Sequence, residues 1–436
     1  MSVNNSIFQI RKLNLSKFCV FSKEKIQNLF VIEKYAITKA FFYFAILIAV
    51  FGSLNPWFMW PVSRYYYYIA FIPVMICFIF NRNIQRKLLT REDWHWSYLT
   101  CLLASLVIVL VNDGNIMGFL RAFVSTAVFY AVFRLDQSEV KNLADFLAKV
   151  MACLMCVSIP FYIMFLMRIP LPHYHISNDE LLYSYENYIF FLLDDRFIMS
   201  IIPRFHSVFL EPGHLGTVCA FLLLVQVGHW RKWYNIVLFV TTLMTFSLAA
   251  YVLLIMIMFL SAWMRRKAIL GKIIILLAVL ATTVTVSLFY NKGDNMVNML
   301  IVQRLTLDDN GRLSGDNRVT ETFEKEFDKF IVSDDVMFGR EFKLMKYGWG
   351  NSGYRVFIYD NGLISLLFVL AFYISFSVLG RYRRGVISMW IIFIASFIVR
   401  ATPLNFYYFL PLFLLTRMEI LPVVDEKEQE LTQDIV

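Results

Sequence analysis

Apolar runs long enough to cross a lipid bilayer recur along nearly the whole of this 436-residue chain. About 20 apolar residues span the hydrocarbon layer, and in lipid they must be helical because every backbone N–H and C=O needs a partner within the segment. The runs lie at 38–54, 65–81, 97–112, 118–133, 149–168, 207–227, 235–248, 249–264, 270–290, 360–380, 386–400 and 405–421. The sequence therefore predicts an all-α integral membrane protein with about twelve transmembrane helices.

The composition excludes a water-soluble globular domain. Hydrophobic residues make up 59% of the chain and charged residues 17%, and the mean hydropathy is +0.61. This leaves too little polar surface to cover a soluble domain of such length. The net charge of +9 lies mostly in loop clusters of Lys and Arg, so no nucleic-acid partner is expected.

The uneven distribution of Lys and Arg between the loops predicts the orientation of the helices. The loops "NPWFMWPVSR" and "DGNIMG" are nearly free of basic residues, and basic loops face the cytoplasm. Both flanks of the apolar stretch 235–264 are basic, which favours a hairpin that turns near Ser247 to Ala250. Both termini are then cytoplasmic. The basic clusters are Arg82/Arg86/Lys87/Arg91, Arg134/Lys141/Lys149, Arg231/Lys232, Arg265/Arg266/Lys267/Lys272 and Arg381/Arg383/Arg384.

Three parts of the chain follow from this topology. Residues 1–36 are expected to form a cytoplasmic N-terminal segment that lies partly at the membrane surface, and residues 422–436 a cytoplasmic acidic tail. The polytopic transmembrane domain, 37–421, carries two sizeable external loops at 169–206 and 291–359. Loops of this length are usually functional or disordered, and these two do not have a disordered composition.

The second external loop contains an amphipathic pattern. The stretch "NRVTETFEKEFDKFI" predicts a helix over 317–331 with Asn317 as its cap. We expect the apolar stripe of this helix to pack on the membrane domain or in the headgroup layer. The stripe consists of Val319, Phe323, Phe327 and Phe330.

The first external loop carries a series of aromatic residues. An interfacial aromatic belt is the favoured interpretation, and a platform for stacking sugars is the alternative. The series consists of Tyr183, Tyr185, Tyr188, Phe190 and Phe191.

Four ionisable residues stand where this loop enters the sixth predicted helix. The stretch "RFHSVFLEPGHLGTVCAF" contains Arg204, His206, Glu211 and His214. Glu211 and His214 are three residues apart and share a helix face, and ionisable groups at a membrane boundary are functional by default. The alternative is that Glu211 only caps the helix and His214 lies in the headgroup layer.

Arginines concentrate in or beside the external loops. The planar guanidinium group binds phosphate through two parallel hydrogen bonds, so several arginines around one cavity would bind a diphosphate. For most of them an ordinary salt bridge or solvated charge is the simpler explanation. We favour Arg204, Arg318 and Arg355, which adjoin a membrane boundary or a motif. The full set is Arg204, Arg304, Arg312, Arg318, Arg340, Arg355 and Arg400.

Two stretches resemble the bacterial O-antigen and capsular polysaccharide polymerases. "RFHSVFLEPGHLG" looks like the family's arginine followed by a Glu-Pro-Gly-His turn into a helix. "GRLSGDNRVTETFEKEFDKFIVSDDVMFGREFKLMKYGWGNSGYRVFIYDNGLISLLF" is similar to its large external loop. The resemblance covers the topology of nearly the whole chain, but specific residues only over about 204–220 and 312–368.

The resemblance implies a GT-C-like, metal-independent glycosyltransferase in the bacterial inner membrane, with no cofactor. The donor would be a growing glycan on undecaprenyl diphosphate and the acceptor a lipid-linked repeat unit, and a chain-length regulator protein is a further expected partner. The candidate proton acceptors are Glu211, His214 and Asp360. The candidate substrate ligands are Arg204, His206, Arg312, Arg318, Asn351, Tyr354 and Arg355.

Three other functions compete with this one. A lipid-linked oligosaccharide flippase would also keep charges near a cavity, but transporters place them near the midplane in related halves. An O-antigen ligase differs only in its acceptor, and its His-Asn pair is replaced here by Asn351-Ser352. A metal-dependent hydrolase would use the external histidines, but His173 and His175 lack a recognised ligand spacing, so no metal is expected.

Overall fold

The computed structural model describes most of the chain between residues 34 and 418. The described residues are 34–63, 65–81, 88–90, 95–112, 114–178, 183–195, 203–265, 269–295, 298, 302–303, 319–348, 351–380, 382–399 and 406–418. This part of the chain is mostly helical and contains 14 α-helices. Four of them, α1, α4, α5 and α12 as bounded below, are long and apolar enough to cross a membrane.

The helices follow the apolar runs of the sequence. Each of the twelve predicted runs coincides with one helix, and two short helices, α10 and α11, lie in the second external loop. The helices are α1 Lys34–Ser53, α2 Tyr66–Asn81, α3 His95–Val111, α4 Ile116–Phe133, α5 Gln137–Leu166, α6 Pro212–Val225, α7 Trp233–Met244, α8 Leu248–Met264, α9 Ile269–Phe289, α10 Glu321–Phe330, α11 Leu344–Tyr347, α12 Tyr354–Leu379, α13 Arg383–Val399 and α14 Phe406–Arg417.

Helix α5 begins well before the apolar run that predicted it. The run starts at 149, whereas the helix starts at Gln137, because the Asp136 carboxylate accepts a hydrogen bond from the Ser138 amide and caps the first turn. Hydrophobicity alone marks the part of a helix that can lie in lipid. The capping residue marks where the helix begins.

The prediction of an all-α fold is wrong for the first external loop. Residues 174–194 form a three-stranded antiparallel sheet of β1 Tyr174–Asn178, β2 Tyr183–Asn187 and β3 Leu192–Asp194. Tyr185 and Phe191 are buried in the protein core, so neither belongs to an interfacial belt or an open sugar platform. Within the aromatic series, Tyr183 and Tyr185 stand two residues apart, which is the spacing of side chains on one face of a strand.

Helix α6 is almost completely enclosed by other helices. It packs against α5, α7, α8 and α14, and nearly all its residues from Gly213 to Val225 are buried. A helix that is apolar on every side is buried on every side. The packing of its neighbours therefore fixes the position of the ionisable residues at the beginning of α6.

The apolar stretch 235–264 is divided into two helices, as predicted. The break falls at Thr245 to Ser247, slightly before the predicted turn, and Phe246 has a φ of 46° there. A Cβ on Gly216 of α6 would lie 2.9 Å from the Thr245 side-chain oxygen and 2.7 Å from the Ala250 Cβ. Glycine is thus required where α6 passes closest to this break.

The amphipathic helix of the second loop is present as α10. Phe323, Phe327 and Phe330 are buried against the core, as the stripe predicted. Its cap is Thr320, whose hydroxyl accepts a hydrogen bond from the Phe323 amide. The predicted cap, Asn317, lies outside the described residues.

Candidate functional site

The segment 203–211 is held by hydrogen bonds to its backbone carbonyls. These bonds come from neighbouring elements, and the Arg204 and His206 side chains add bonds of their own to the Thr245 and Phe209 carbonyl oxygens. The segment bends sharply at Ser207, which has a φ of 54°. The bonds are donated by the Tyr162 hydroxyl to Pro203, the Leu192 amide to Ser207, the Trp57 amide to Val208 and the Tyr185 hydroxyl to Leu210.

Glu211 and His214 lie together at the beginning of α6. Glu211 occupies the N-cap position before Pro212, as predicted, but its side chain makes no capping hydrogen bond. Its Oε2 is 3.9 Å from His214 Nε2, and the two side chains are 33% and 26% exposed. Both groups therefore reach the surface beside a helix that is otherwise enclosed.

Arg204 joins the segment to the break between α7 and α8. Its Nε donates a hydrogen bond to the Thr245 carbonyl oxygen at 3.2 Å. The Phe205 amide donates to the Met244 carbonyl oxygen at 3.3 Å. The guanidinium group is thus fixed by one edge to the end of α7, and Gly216 brings α6 against the same Thr245.

His206 has a different environment from its neighbours. It is buried, and its Nδ1 lies 2.6 Å from the Phe209 carbonyl oxygen, which can only accept, so Nδ1 carries the proton. Burial lowers the pKa of His206 to about 4. The imidazole is therefore neutral at physiological pH and supports the bend rather than presenting a positive charge.

Asp360 lies at a break in α12. Its Oδ1 accepts a hydrogen bond from the Phe342 amide at 3.0 Å, and the Tyr359 carbonyl oxygen accepts one from the Arg340 amide at 2.6 Å. Gly362 has a φ of 72° and lies directly against the Met337 carbonyl oxygen. The loop backbone is thus docked into the helix break, and Asp360 fixes it there.

Arg355 is engaged in an ion pair with α10. Its Nη1 is 3.1 Å from Glu324 Oε1, and its Nε donates to the Tyr354 hydroxyl at 3.3 Å. The guanidinium group also lies 5.9 Å from the centre of the Phe327 ring. These contacts hold α10 on the first turn of α12.

Asn351 organises the chain between α11 and α12. Its Oδ1 accepts from the Thr320 amide at 2.7 Å, and its Nδ2 donates to the carbonyl oxygens of Tyr347 and Gly348. The same amide group therefore connects the cap of α10 to the end of α11. No sequence motif indicated this connection.

The structure thus places the predicted residues in two groups. Arg204, Glu211 and His214 lie in the segment that leads into α6 and in its first turn, and Asn351, Tyr354, Arg355 and Asp360 lie just before α12 and in its first two turns. Arg304, Arg312, Arg318 and Arg400 lie outside the described residues. The predicted convergence of both groups on one cavity stays a prediction.

Sequence reasoning missed a cluster of charges under α10. Glu326 Oε1 lies 3.6 Å from Arg340 Nη1 and 3.9 Å from Lys346 Nζ. It also accepts a 3.5 Å hydrogen bond from the Tyr359 hydroxyl. Glu326 lies on the polar side of the predicted helix, one residue before the buried Phe327, so the sequence did place a carboxylate next to the apolar stripe. Its partners are too distant in sequence to be found by periodicity.

A carboxylate and an imidazole side by side can accept a proton from a hydroxyl group, with one orienting the other. A nearby guanidinium can stabilise negative charge that develops on a phosphate leaving group. The segment that leads into α6 and the first turn of α6 contain all three groups.

Comparisons with protein-family models, with curated proteins and with solved structures find no match to this chain.

Proposed function

We propose that this protein is a polysaccharide polymerase. It transfers a growing undecaprenyl-diphosphate-linked glycan onto a lipid-linked repeat unit at the external face of the bacterial inner membrane. The observation that carries the proposal is the Glu211–His214 pair, partly exposed at the beginning of an enclosed helix. Arg204 in the same segment supports it.

The proposed reaction forms one glycosidic bond and breaks one bond to diphosphate. The acceptor hydroxyl oxygen attacks the anomeric carbon of the donor glycan, and the bond from that carbon to the diphosphate oxygen breaks. The hydroxyl proton passes to the Glu211–His214 pair, and the electron pair leaves with the lipid diphosphate. A positioned proton acceptor accelerates such a step by about 10²–10⁴-fold.

Arginine side chains take the place of a metal ion in this proposal. Negative charge increases on the diphosphate as its bond to the sugar breaks, and a preorganised guanidinium group stabilises that charge. Arg204 has one edge fixed to the Thr245 carbonyl, so it needs little reorganisation during the reaction. Arg312 and Arg318 are the further predicted ligands of the diphosphate.

The membrane arrangement belongs to the same proposal. Twelve transmembrane helices in a GT-C-like fold would place both termini in the cytoplasm and both long loops outside. The two lipid tails would lie between helices, and α10 would cover the headgroups. The burial of Phe323, Phe327 and Phe330 supports this role, because it fixes α10 on the helical core.

The test is reconstitution of the purified protein into liposomes with a lipid-linked repeat unit. The wild type should give a ladder of products, and Arg204→Ala and Glu211→Ala should each lose it at normal protein levels. Arg231→Ala and Glu341→Gln are matched controls, since Arg231 is exposed in a predicted cytoplasmic loop and the Glu341 side chain is 79% exposed. Both controls should keep the ladder.

The same assay separates the competing functions. A flippase would move labelled lipid across the vesicle membrane without lengthening its glycan. An O-antigen ligase would transfer the glycan once to a different acceptor and give no ladder. Either result with a folded wild-type protein would overturn the polymerase proposal.

A further inference from the structure

Four metal-ligating side chains lie on one face of the three-stranded sheet. His175 of β1 stands directly opposite Glu186 of β2, and Glu186 stands opposite Leu193 of β3. Asp195 follows Leu193 by two residues, which returns its side chain to the same face. His173 precedes His175 by two residues, and its ring stacks on Tyr188 with centroids 5.0 Å apart.

The distances within this cluster suit a small cation. His175 Nδ1 is 3.4 Å from Glu186 Oε1 and 3.6 Å from Asp195 Oδ2. One ligand atom from each of these three residues lies within 4.8 Å of the others. Ligand atoms of a tetrahedral zinc ion with bonds of about 2.1 Å stand about 3.4 Å apart.

The hydrogen bond of His173 leaves its Nε2 available as a metal ligand. His173 Nδ1 lies 3.1 Å from the Leu171 carbonyl oxygen, which can only accept, so Nδ1 carries a proton. Nε2 lies 4.0 Å from Glu186 Oε2. With Nδ1 carrying the proton, the neutral ring leaves the lone pair of Nε2 on the side of Glu186, as a metal ligand requires. A backbone carbonyl that fixes the tautomer is also the usual partner of a metal-binding histidine.

Asp195 gives a second indication of the same kind. Among the described residues, its Oδ1 is buried without a hydrogen-bond partner. A buried carboxylate oxygen without a donor is stabilised by a bound cation.

We propose that His175, Glu186 and Asp195 bind a zinc ion on the outer face of the sheet, with His173 as a fourth donor. A set of imidazole and carboxylate ligands favours zinc over calcium or magnesium, which require six or more oxygen ligands. This site stands apart from the proposed glycosyl transfer and does not depend on it.

The zinc ion would fasten the three strands to one another. The opposite face of β2 supports the segment that carries the candidate catalytic pair, because the Tyr185 hydroxyl donates to the Leu210 carbonyl oxygen at 2.8 Å. β3 supports it as well, since the Leu192 amide donates to the Ser207 carbonyl oxygen. The ion would therefore stabilise the sheet that supports the segment before Glu211, and it would take no part in the glycosyl transfer.

The test is zinc binding by the full chain in detergent, purified with a tag that contains no histidine and dialysed against a chelator. Calorimetric titration with zinc chloride should show one ion per chain with Kd of about 1 μM or tighter. His175→Ala and Glu186→Gln should each weaken binding at least tenfold. His95→Ala is the matched control, since His95 lies 2.9 Å from the Tyr130 hydroxyl on another part of the surface, and it should bind as the wild type does.

Hydrogen exchange supplies a second measurement that reports the sheet itself. Zinc should slow exchange of the amides of β1 and β2 in the wild type and in His95→Ala, but not in Glu186→Gln. Glu186→Gln has nearly the same shape as the wild type, so loss of fold would not account for this result. Zinc binding that is absent in the wild type, equal in His175→Ala, or replaced by calcium binding would overturn the proposal.

Discussion

Two segments bend the chain beside a helix, residues 203–211 and the described residues 337–348 and 351–362, and they are held in different ways. The first is fixed mainly by groups of its neighbours, which donate to its backbone carbonyls, as the Tyr185 hydroxyl does to Leu210, with further bonds from its own Arg204 and His206. The second is fixed by its own side chains, including Asp360, whose carboxylate accepts from the Phe342 amide. Both contain residues with positive φ, Ser207 in the first and Gly339 and Gly362 in the second.

This difference separates ionisable residues that can serve a substrate from those that hold the fold. In the first segment the printed bonds that hold the bend come from neighbouring groups and from Arg204 and His206, and the partly exposed Glu211 and His214 side chains lie 3.9 Å apart at the beginning of α6. In the second segment Asp360 and Arg355 are themselves the scaffold, through the Phe342 amide and the Glu324 carboxylate. We therefore favour Glu211 and His214 over Asp360 as the proton acceptor.

The largest expected effect comes from removing the charge at Glu211. Glu211→Gln keeps the shape of the side chain but cannot accept the proton, so the rate of ladder formation should fall about 10²–10⁴-fold. The melting temperature should stay close to that of the wild type, because Glu211 is one-third exposed and makes no capping bond. Initial rates at equal protein levels measure the first effect and thermal unfolding in detergent the second.

Asp360→Asn is the paired variant for the second segment. The amide still offers an oxygen to the Phe342 N–H, but the charge-assisted bond becomes a neutral one, and the protein should lose about 1 kcal/mol of stability. Its rate per folded molecule should remain within a few-fold of the wild type. A large loss of rate in Asp360→Asn with normal stability would reverse the assignment of the two segments.

A smaller but still large effect is expected at the break in α12. Gly362→Ala would place a Cβ against the Met337 carbonyl oxygen and hold a non-glycine residue at a φ of 72°. The free energy of unfolding should fall by about 2–4 kcal/mol. Gly271→Ala is the matched control, because a Cβ at Gly271 meets nothing within 4 Å and lies in helix α9. It should be neutral or slightly stabilising, and equal losses in both variants would contradict the docked loop.

The sequence predicted the helices well because hydrophobicity and span length determine them. It also placed Glu211 and His214 where the first external loop enters the sixth helix. It did not predict the sheet, since a short strand pattern inside a polar loop is weak evidence beside strong helical runs. It also could not assign Asp360, because its partner, the Phe342 amide, is brought to it by the tertiary fold.

The stability of the first segment should depend on pH. The pKa of His206 is lowered from its ordinary value of 6.5 to about 4, so the unfolded chain binds the proton first as the pH falls. Stability is then complete above pH 6.5 and decreases between pH 6.5 and about 4, by about 1.4 kcal/mol per pH unit. At pH 5 the loss should be about 2 kcal/mol.

His206→Gln tests this dependence directly. The glutamine amide can still donate to the Phe209 carbonyl oxygen but does not titrate, so the decrease between pH 7.5 and 5 should become about 2 kcal/mol smaller. His95→Gln removes a histidine from another part of the surface, where its ring lies 2.9 Å from the Tyr130 hydroxyl, and should leave the pH dependence unchanged. An unchanged dependence in His206→Gln would mean that the bend tolerates a charged imidazole.

The smallest expected effect concerns the ion pair between Arg355 and Glu324, whose side chains are 32% and 20% exposed. If this pair holds α10 on α12, a double-mutant cycle with Arg355→Met and Glu324→Gln should give a coupling energy of about 0.5–1 kcal/mol in thermal or denaturant unfolding. The pair of Lys325 and Glu321 is the reference, because its side chains are 71% and 77% exposed, and its coupling should be about 0.3–0.5 kcal/mol.

The Arg355 guanidinium already contacts Glu324 and Tyr354, so a diphosphate would have to displace or share those contacts. A coupling near zero, together with a loss of ladder formation in Arg355→Met, would place Arg355 with Arg204 as a substrate ligand and weaken the contrast between the two segments.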